Sequence, residues 1–237
     1  MSKTVLITGA SRGIGFETAL QLCIAGHKVI AVARTTKGLE SLYNAASKSG
    51  HANNLVVIPV DVANHTHLDE LVVQLSRMCN AIDILINNAG VLINKPFLDI
   101  TQEELENIYK VNVFAPFTLT QKLLPLLRKS DCAHIVNISS VGGVNGTSKF
   151  PGLTAYSSSK GALAIWSEVL AEELKQENIF VNCLALGSAQ TEMLSKAFPG
   201  YEAPLTAAQM GSYVAWFAIN GRDFFNGKTL PVAVTTP

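Results

Sequence analysis

Short runs rich in Val and Ile alternate along this chain with longer segments of helical periodicity, and this alternation limits the possible folds more than any other feature. The short runs are apolar at consecutive positions, a pattern typical of strands that are covered on both faces. The expected strands are Thr4–Thr8, Lys28–Ala33, Leu55–Val60, Ile82–Ile86, His134–Ser139, Phe180–Leu184 and Thr229–Val234. The expected helices are Gly15–Ile24, Lys37–Lys48, Thr66–Met78, Gln102–Arg128, Ala155–Glu173 and Ala207–Ile219.

The repeated strand–helix order predicts an α/β fold. Parallel strands that are joined by right-handed helical crossovers form an open sheet with helices on both faces. We therefore expect a Rossmann-like doubly wound parallel sheet of about seven strands. The chain has 237 residues, of which 48% are hydrophobic, and no linker, repeat or low-complexity segment divides it. These properties favour a single domain over residues 1–237.

The charges of the chain balance, with 18 Lys and Arg against 18 Asp and Glu. Such a chain has no basic field that would hold nucleic acid or an anionic membrane, so a small molecule or a protein is the expected partner. The four cysteines and five histidines have no metal-ligand or disulfide spacing, and no metal site is expected. The N-terminus runs into a strand without a cleavage signature, and no apolar run reaches the length of a membrane span. These features predict a cytoplasmic protein.

A glycine-rich turn joins the first expected strand to the first expected helix. Its sequence, Thr8-Gly-Ala-Ser-Arg-Gly-Ile-Gly15, has the spacing G-x-x-x-G-x-G. The glycines permit a tight turn, approach of a pyrophosphate to the backbone, and close helix–strand packing, while the helix N-terminus supplies free N–H groups. The turn predicts a dinucleotide site, and the alternative is a plain glycine-rich turn. The expected cofactor contacts are Gly9, Ser11, Arg12, Gly13, Ile14 and Gly15.

The end of the second expected strand indicates which dinucleotide would bind. NAD sites usually have an acidic residue there, which binds the ribose 2′-hydroxyl. This strand ends Val32-Ala33-Arg34, so no carboxylate would repel a 2′-phosphate. Arg34 and Arg12 could both bind that phosphate, because guanidinium groups pair with phosphate bidentately. The sequence therefore predicts NADP(H), although Arg34 could also be a solvated loop cation.

A tyrosine and a lysine are four positions apart in the fifth expected helix, Ala155–Glu173. Positions i and i+4 lie on one face of a helix, so Tyr156 and Lys160 would be neighbours. An ammonium in that place would lower the pKa of the phenol, which is ordinarily about 10. The same spacing also occurs by chance on solvated helices, and its meaning depends on the rest of the chain.

Together with the glycine turn, several short motifs resemble those of the short-chain dehydrogenase/reductase family. They are Asp61-Val62, Asn87-Asn-Ala-Gly90, Val111-Asn-Val113, Asn137-Ile-Ser-Ser140, Tyr156-Ser-Ser-Ser-Lys160, and Gly187 with Thr191. Each motif is weak alone, but their order and spacing from Thr8 to about Thr191 are specific. The resemblance is closest to bacterial carbonyl and 3-oxoacyl-carrier-protein reductases.

The resemblance implies a role for each matching residue. The catalytic set would be Asn112, Ser140, Tyr156 and Lys160. Within this set Asn112 would hold a water in a relay to Lys160, and Lys160 would bind the nicotinamide ribose and lower the pKa of Tyr156. The other implied cofactor contacts are Asp61 and Val62 at the adenine, Asn88, Ala89 and Gly90 in the cleft, and Gly187, Ala189 and Thr191 at the carboxamide.

Two adjacent serines follow Ile138, and side chains alternate along a strand, so both cannot face the cleft. In the family the catalytic serine directly precedes a short segment of small residues. Here that serine is Ser140, which is followed by Val141-Gly142. Ser139 is therefore expected to be structural.

Two loops are expected after strand ends, at Gly142–Leu153 and at Gly187–Thr206, the second with a short helix near Met193–Ala197. The first is slightly longer than is usual in the family, so Lys149 and Phe150 could overhang the substrate, or the loop could be solvated surface. The second is short for a lid, which suggests an open cleft for bulky or undemanding substrates. The family also implies a homodimer or homotetramer, although the segment 227–237 lacks the usual D-G-G.

These observations favour an NADPH-dependent reductase of a ketone or aldehyde, with Tyr156 as the general acid and Ser140 orienting the carbonyl oxygen. An NADP-dependent alcohol, sugar or steroid dehydrogenase is an alternative that uses the same residues. A dinucleotide-binding redox sensor without turnover belongs to another class, and such proteins usually lack the Tyr or the Lys. The complete set of four residues favours an enzyme.

Overall fold

The sheet of this protein contains seven parallel strands. The computed structural model describes residues 2–234. The strands of the sheet are β1 (Thr4–Thr8), β2 (Lys28–Ala33), β3 (Leu55–Pro59), β4 (Ile84–Asn87), β5 (His134–Ser140), β6 (Phe180–Leu186) and β9 (Thr229–Val232). Two short strands, β7 (Ala189–Gln190) and β8 (Leu205–Thr206), form a separate pair between β6 and β9 in the chain. The order across the sheet is β3-β2-β1-β4-β5-β6-β9. The prediction of a doubly wound parallel sheet of seven strands is confirmed.

Helices cover both faces of this sheet. In chain order they are α1 (Gly13–Ile24), α2 (Thr36–Lys48), α3 (His65–Met78), α4 (Gln102–Tyr109), α5 (Ala115–Leu127), α6 (Thr154–Glu173), α7 (Glu192–Ala197) and α8 (Ala207–Asn220). Helices α1, α2 and α8 pack in one core cluster, and α3, α5 and α6 pack in the other. Strand β1 contributes Val5 and Ile7 to the first cluster and Leu6 to the second, all fully buried. Alternate side chains point to opposite faces, which is why the strands are apolar at consecutive positions.

The segment expected as one helix, Gln102–Arg128, is interrupted in the structure. A π-helical turn, Lys110–Phe114, separates α4 from α5. Helix α4 begins with a capping box, in which Thr101 and Glu104 each bond the other's backbone N–H. The π-turn holds the fully buried Asn112, whose amide bonds the backbone of Val91. The expectation of an unbroken helix was wrong because periodicity does not register a single widened turn, a feature that is frequent at functional sites.

The sheet order defines where a ligand can bind. The chain winds outward from β1 through β2 and β3, and then returns to the other side of β1 with β4. The loops that leave β1 and β4 therefore diverge, and this opens a crevice at the carboxyl ends of the two strands. The loops after β5 and β6 border the same edge of the sheet.

Strand β9 forms one edge of the sheet, pairing only with β6 among the described residues. Pro231 lies in this strand, opposite Ala185, and an edge strand tolerates the missing N–H. The strand ends at Val232 rather than at the expected Val234, and residues 235–237 lie outside the described part of the chain. Within residues 2–234, no helix combines the length and the apolar character that a membrane crossing needs.

Candidate active site

A cavity of about 890 Å³ opens at the carboxyl ends of the central strands. All but one of the residues expected from sequence at the cofactor and catalytic sites line it, and the exception is Asn112, which is buried behind its wall. The lining residues from those expectations are Gly9, Ser11, Arg12, Gly13, Ile14, Gly15, Arg34, Asp61, Val62, Asn88, Ala89, Gly90, Ser140, Tyr156, Lys160, Gly187, Ala189 and Thr191. The fold therefore brings together residues from most of the chain.

The glycine turn is shaped for an anionic ligand. Gly9 and Gly13 have positive φ angles of 70° and 59°, which L side chains rarely adopt. Arg12 precedes α1 and makes no side-chain cap to it, so the first N–H groups of the helix stay available at the cavity. The free N–H groups and the helix dipole favour a pyrophosphate at this place. The turn therefore fits a dinucleotide.

The turn packs closely against Asn88 and Ala89, which follow β4. A Cβ atom on Gly15 would lie 2.2 Å from Nδ2 of Asn88, and one on Gly9 would lie 2.7 Å from Cα of Ala89. Asn88 donates from Nδ2 to the carbonyl oxygens of Thr8 and Gly9, at 3.0 and 3.2 Å. Its side chain thus supports the turn, which is a role that sequence reasoning did not identify.

Cations line the end of the cavity beside β2. Arg34 follows β2 and is exposed there. Lys37, in the first turn of α2, also lines this end and was not singled out from the sequence. The sequence feature that would have identified Lys37 is its position three residues after Arg34. Arg12 instead contacts Glu192 of α7, with 3.0 Å between Nη1 and Oε2.

The two serines that end β5 both border the cavity, but their side chains have different partners. Ser139 is buried and donates from Oγ to the carbonyl oxygen of Lys160, at 2.7 Å. Ser140 lines the cavity together with Tyr156, and its hydroxyl opposes the rise that burial causes in the pKa of Tyr156. Its Oγ also accepts from the N–H of Gly142, at 3.3 Å. The geometry thus places Ser140, and not Ser139, beside the phenol.

Tyr156 and Lys160 occupy one face of α6, and Nζ of Lys160 lies 5.9 Å from the centre of the Tyr156 ring. Desolvation raises the pKa of Tyr156 to about 12, and the hydrogen bond with Ser140 opposes this rise. Burial also lowers the pKa of Lys160 to about 8. Nζ of Lys160 donates to the carbonyl oxygen of Ile138, and burial is the largest influence on the pKa of Tyr156. That Lys160 lowers this pKa during the reaction stays a prediction.

Asn112 fixes the backbone that passes beneath the site. Its Oδ1 accepts from the N–H of Val91 at 2.9 Å, and its Nδ2 donates to the carbonyl of Val91 and to Oγ of Ser159, both at 3.0 Å. A Cβ atom on Gly90 would lie 3.3 Å from Oδ1 of Asn112 and 3.4 Å from Nζ of Lys160. A glycine at 90 therefore keeps open the space between the amide and the ammonium.

The segment after β6 closes the cavity opposite the glycine turn. The N–H of Gly187 donates to the carbonyl of Val232 at 2.8 Å, which anchors this segment to β9. Thr191 caps α7 by accepting from the N–H of Leu194 at 3.2 Å. Its methyl group would lie 3.3 Å from a Cβ atom on Gly13. Thr191 thus lies directly across from the expected pyrophosphate position.

Comparisons with known proteins identify the family. Residues 3–202 match the short chain dehydrogenase family. This chain belongs to that family. The short-chain dehydrogenase resembles the ketoacyl reductase HetN of Nostoc sp., with 36% identity over 185 residues, which cover 78% of this chain and 63% of HetN. The chain thus spans less than two thirds of the length of that relative.

Two solved structures resemble this short-chain dehydrogenase over nearly its whole length. A short-chain dehydrogenase from Escherichia coli CFT073, complexed with NADPH, has a TM-score of 0.86 and 30% identity, and the match covers 97% of this chain and 95% of that one. A 3-ketoacyl-(acyl-carrier-protein) reductase from Brucella melitensis, complexed with NADH, has a TM-score of 0.85 and 27% identity, covering 97% and 96%. Structures of the same fold thus carry either dinucleotide.

The loop before α6 contributes to this short-chain dehydrogenase's cavity through one of the two residues that the sequence suggested. Phe150 lines the cavity and packs edge-to-face on Phe198, with ring centres 6.4 Å apart. Lys149 donates to the carbonyl of Thr147, at 3.1 Å, and to that of Val144 within its own loop. Lys149 therefore does not overhang the substrate. The ammonium thus has acceptors within its own loop, which an apolar cavity would not offer it.

Proposed function

We propose that this short-chain dehydrogenase is an NADP(H)-dependent oxidoreductase that reduces a ketone or aldehyde to an alcohol. The observation that carries the proposal is that Ser140, Tyr156 and Lys160 line the same cavity as the glycine turn, with Nζ of Lys160 5.9 Å from the centre of the Tyr156 ring. These are a proton donor, a hydrogen-bonding partner and a cation in one crevice. The reductases among the similar proteins support the same chemistry.

Each residue would have a separate task at the carbonyl group. With a pKa of about 12, Tyr156 is protonated at neutral pH and can donate a proton to the oxygen as charge develops there. Ser140 would hydrogen-bond the same oxygen and hold it near Tyr156. The bound dinucleotide would supply the hydride. In the opposite direction Tyr156 would have to lose its proton first, and burial disfavours that.

The cofactor preference is proposed from the cations at the β2 end of the cavity. Arg34 and Lys37 both line this end of the cavity, and the sequence at the end of β2 contains no carboxylate. Guanidinium and ammonium groups bind a 2′-phosphate, whereas the ribose hydroxyl of NAD is usually bound by an acidic residue. The NADPH complex of the Escherichia coli structure supports this choice, and the NADH complex of the Brucella structure makes a direct test necessary.

A homodimer or homotetramer is proposed from the exposed apolar side chains of the two long helices. Phe114, the last residue of the π-turn, and Phe117 of α5 are 57% and 47% exposed, and Ile165 and Val169 of α6 are 61% and 53% exposed. Groups of exposed large apolar side chains are a feature of surfaces that contact other chains. Light scattering after size exclusion should give a mass of two or four chains, and a monomer at micromolar concentration would contradict it.

The activity is tested by following NADPH absorbance with a panel of ketones and aldehydes, and NADP+ reduction with the matching alcohols. We expect consumption of NADPH with at least one neutral carbonyl compound. NADPH binding without turnover of any carbonyl or alcohol would support the sensor and contradict the proposal. Turnover of alcohols alone would favour the dehydrogenase alternative.

A further inference from the structure

The cavity beyond Tyr156 is roofed by apolar side chains from two loops. One loop, residues 144–153, contributes Phe150 and Leu153. The other contains α7 and contributes Met193, Leu194 and Phe198. We call these five side chains the roof. An apolar surface binds ligands by removing apolar area from water, and it has no hydrogen-bonding groups to replace the water that a polar ligand loses.

Three contacts join the two loops into one structure. The rings of Phe150 and Phe198 meet at an interplanar angle of 65°. The side chain of Asn94, from the loop after β4, donates to the carbonyl of Ala197 at 2.8 Å. The next N–H, that of Lys95, donates to the carbonyl of Gly152 at 2.9 Å. The first loop is therefore held over the cavity and is not a free surface loop.

The polar groups near the roof already have partners. Oγ of Ser188 lies 3.1 Å from the hydroxyl oxygen of Tyr201. The amide of Asn94 and the ammonium of Lys149 bond to backbone carbonyls. A ligand that carries a charge would lose its water here without gaining a partner of opposite sign.

The nearby charged side chains are paired as well. Glu192 at the start of α7 contacts Arg12 at 3.0 Å and Lys196 at 2.7 Å. Lys95 contacts Glu104 at 3.0 Å. Of the members of these pairs, Arg12 and Glu192 line the cavity, whereas Lys95, Glu104 and Lys196 do not.

We propose that the roof selects neutral, hydrophobic carbonyl compounds and rejects carbonyl compounds that carry a carboxylate, with Phe150 and Phe198 as the specificity-determining pair. The inference rests on the proposed reductase function and narrows its substrate class. An aromatic or alkyl group on the carbonyl carbon would lie under the two rings, where it removes apolar surface from water.

The first test compares two substrates of nearly equal size. Methyl 4-acetylbenzoate is neutral, and 4-acetylbenzoate carries a carboxylate at the same position of the ring. We expect kcat/KM with NADPH to be at least about thirtyfold higher for the neutral ester, which corresponds to the discrimination that an unpaired buried charge imposes. Equal values, or a preference for the carboxylate, would overturn the proposal.

The second test uses substitutions of the roof. Phe150→Ala and Phe198→Ala should each lower kcat/KM for the neutral ester about five- to tenfold, mainly through KM, and leave kcat/KM for acetone within twofold. Phe97→Ala is the matched control, because Phe97 is 71% exposed and is not among the cavity residues. Equal losses for acetone and the ester would overturn the assignment of the pair.

A binding measurement separates this proposal from the function on which it rests. Calorimetric titration of the ester into the enzyme saturated with NADP+ reports occupation of the roof without turnover. Binding that weakens in Phe150→Ala, together with no turnover of any carbonyl, would contradict the reductase function while supporting the roof. Turnover of small or charged carbonyls in preference to the ester would support the function and overturn the roof.

Discussion

Lys160 donates a hydrogen bond from Nζ to the carbonyl oxygen of Ile138, 2.7 Å away, at the end of the strand that carries Ser140. This bond holds the ammonium in the protein interior, where Lys160 is 4% exposed. Burial lowers the pKa of Lys160 to about 8. Burial of the Lys160 ammonium therefore lowers the stability of the folded state, and the position of this residue at the cavity requires that burial.

Replacement of Lys160 should consequently stabilise the protein. Lys160→Met should raise the free energy of unfolding by about 1 to 3 kcal/mol at pH 6.5, because it removes the cost of burying an ammonium. Below pH 8 the folded state bears the whole cost. Between pH 8 and 10.5 the folded state releases its proton first, so the advantage of the variant should shrink as the pH rises.

Urea unfolding at pH 6.5 and pH 9.5 measures this difference. Lys48→Met serves as the control, since Lys48 is exposed in the last turn of α2. A Lys160→Met protein that is less stable than the wild type at both pH values would contradict the assigned cost.

His134 should make the protein sensitive to acid. It is fully buried, Nδ1 lies 3.0 Å from the carbonyl of Ala218, and Nε2 lies 3.1 Å from Nδ2 of Asn182. Desolvation, the largest cause, lowers its pKa to about 4. The unfolded state binds a proton at higher pH than the folded state, so stability should fall as the pH decreases from 6.5 toward 4.

The loss due to His134 should be about 2 kcal/mol between pH 7 and 4.5. His134→Gln should be less stable at pH 7, because it disturbs both hydrogen bonds, and its stability should change less between these two pH values. Chemical unfolding curves at the two pH values give the comparison. A variant with the full acid sensitivity of the wild type would show that other groups cause it.

Two glycines in the loop of residues 144–153 should differ in their tolerance of replacement by alanine. Gly146 and Gly152 have similar positive φ angles, 79° and 85°, so alanine costs about 1 kcal/mol of backbone strain at each. At Gly146 a Cβ atom has nothing within 4 Å, whereas at Gly152 it would lie 2.0 Å from Oδ1 of Asn94. Asn94 could move aside only by losing its bond to Ala197.

Gly152→Ala should therefore raise KM for a hydrophobic ketone about three- to tenfold, and Gly146→Ala should leave it unchanged. Thermal unfolding should show the larger loss of stability in Gly152→Ala, because only that methyl group displaces Asn94 from its bond to Ala197. Equal KM values in the two variants would mean that Asn94 does not connect the loops.

Arg34 should determine the preference for NADPH. Arg34→Ala should weaken NADPH binding about tenfold, through loss of a charge-assisted hydrogen bond, and leave NADH binding within twofold. Arg77→Ala is a matched control, because Arg77 is exposed on α3 and does not line the cavity. Fluorescence titrations with both dinucleotides give the ratio. An unchanged ratio in Arg34→Ala, or tighter NADH than NADPH binding by the wild type, would contradict the 2′-phosphate assignment.

The sheet could be predicted from the sequence because its strands are buried on both faces and therefore consist of unbroken apolar runs such as Val5–Ile7. The glycine turn and the face shared by Tyr156 and Lys160 follow from local spacing, and both are present. The break in the helix at Asn112 could not be predicted, because it depends on hydrogen bonds to Val91, which is distant in sequence.

The sequence pattern also could not predict which groups the long side chains contact in the folded protein. Lys160 could bond a neighbouring strand as easily as face Tyr156, and the choice depends on the position of Ile138. Lys149 and Phe150 are adjacent, yet only Phe150 lines the cavity, because Phe198 offers it an apolar surface. Such outcomes depend on which groups lie nearby in space, and the sequence does not contain that information locally.

The central claim is that Tyr156 donates the proton, and Tyr156→Phe tests it most directly. The substitution removes only the hydroxyl, so NADPH should bind within about twofold of the wild type while kcat for a neutral ketone falls by a factor of about 10² to 10⁴. Rates within a few-fold of the wild type, with NADPH binding intact, would contradict the account.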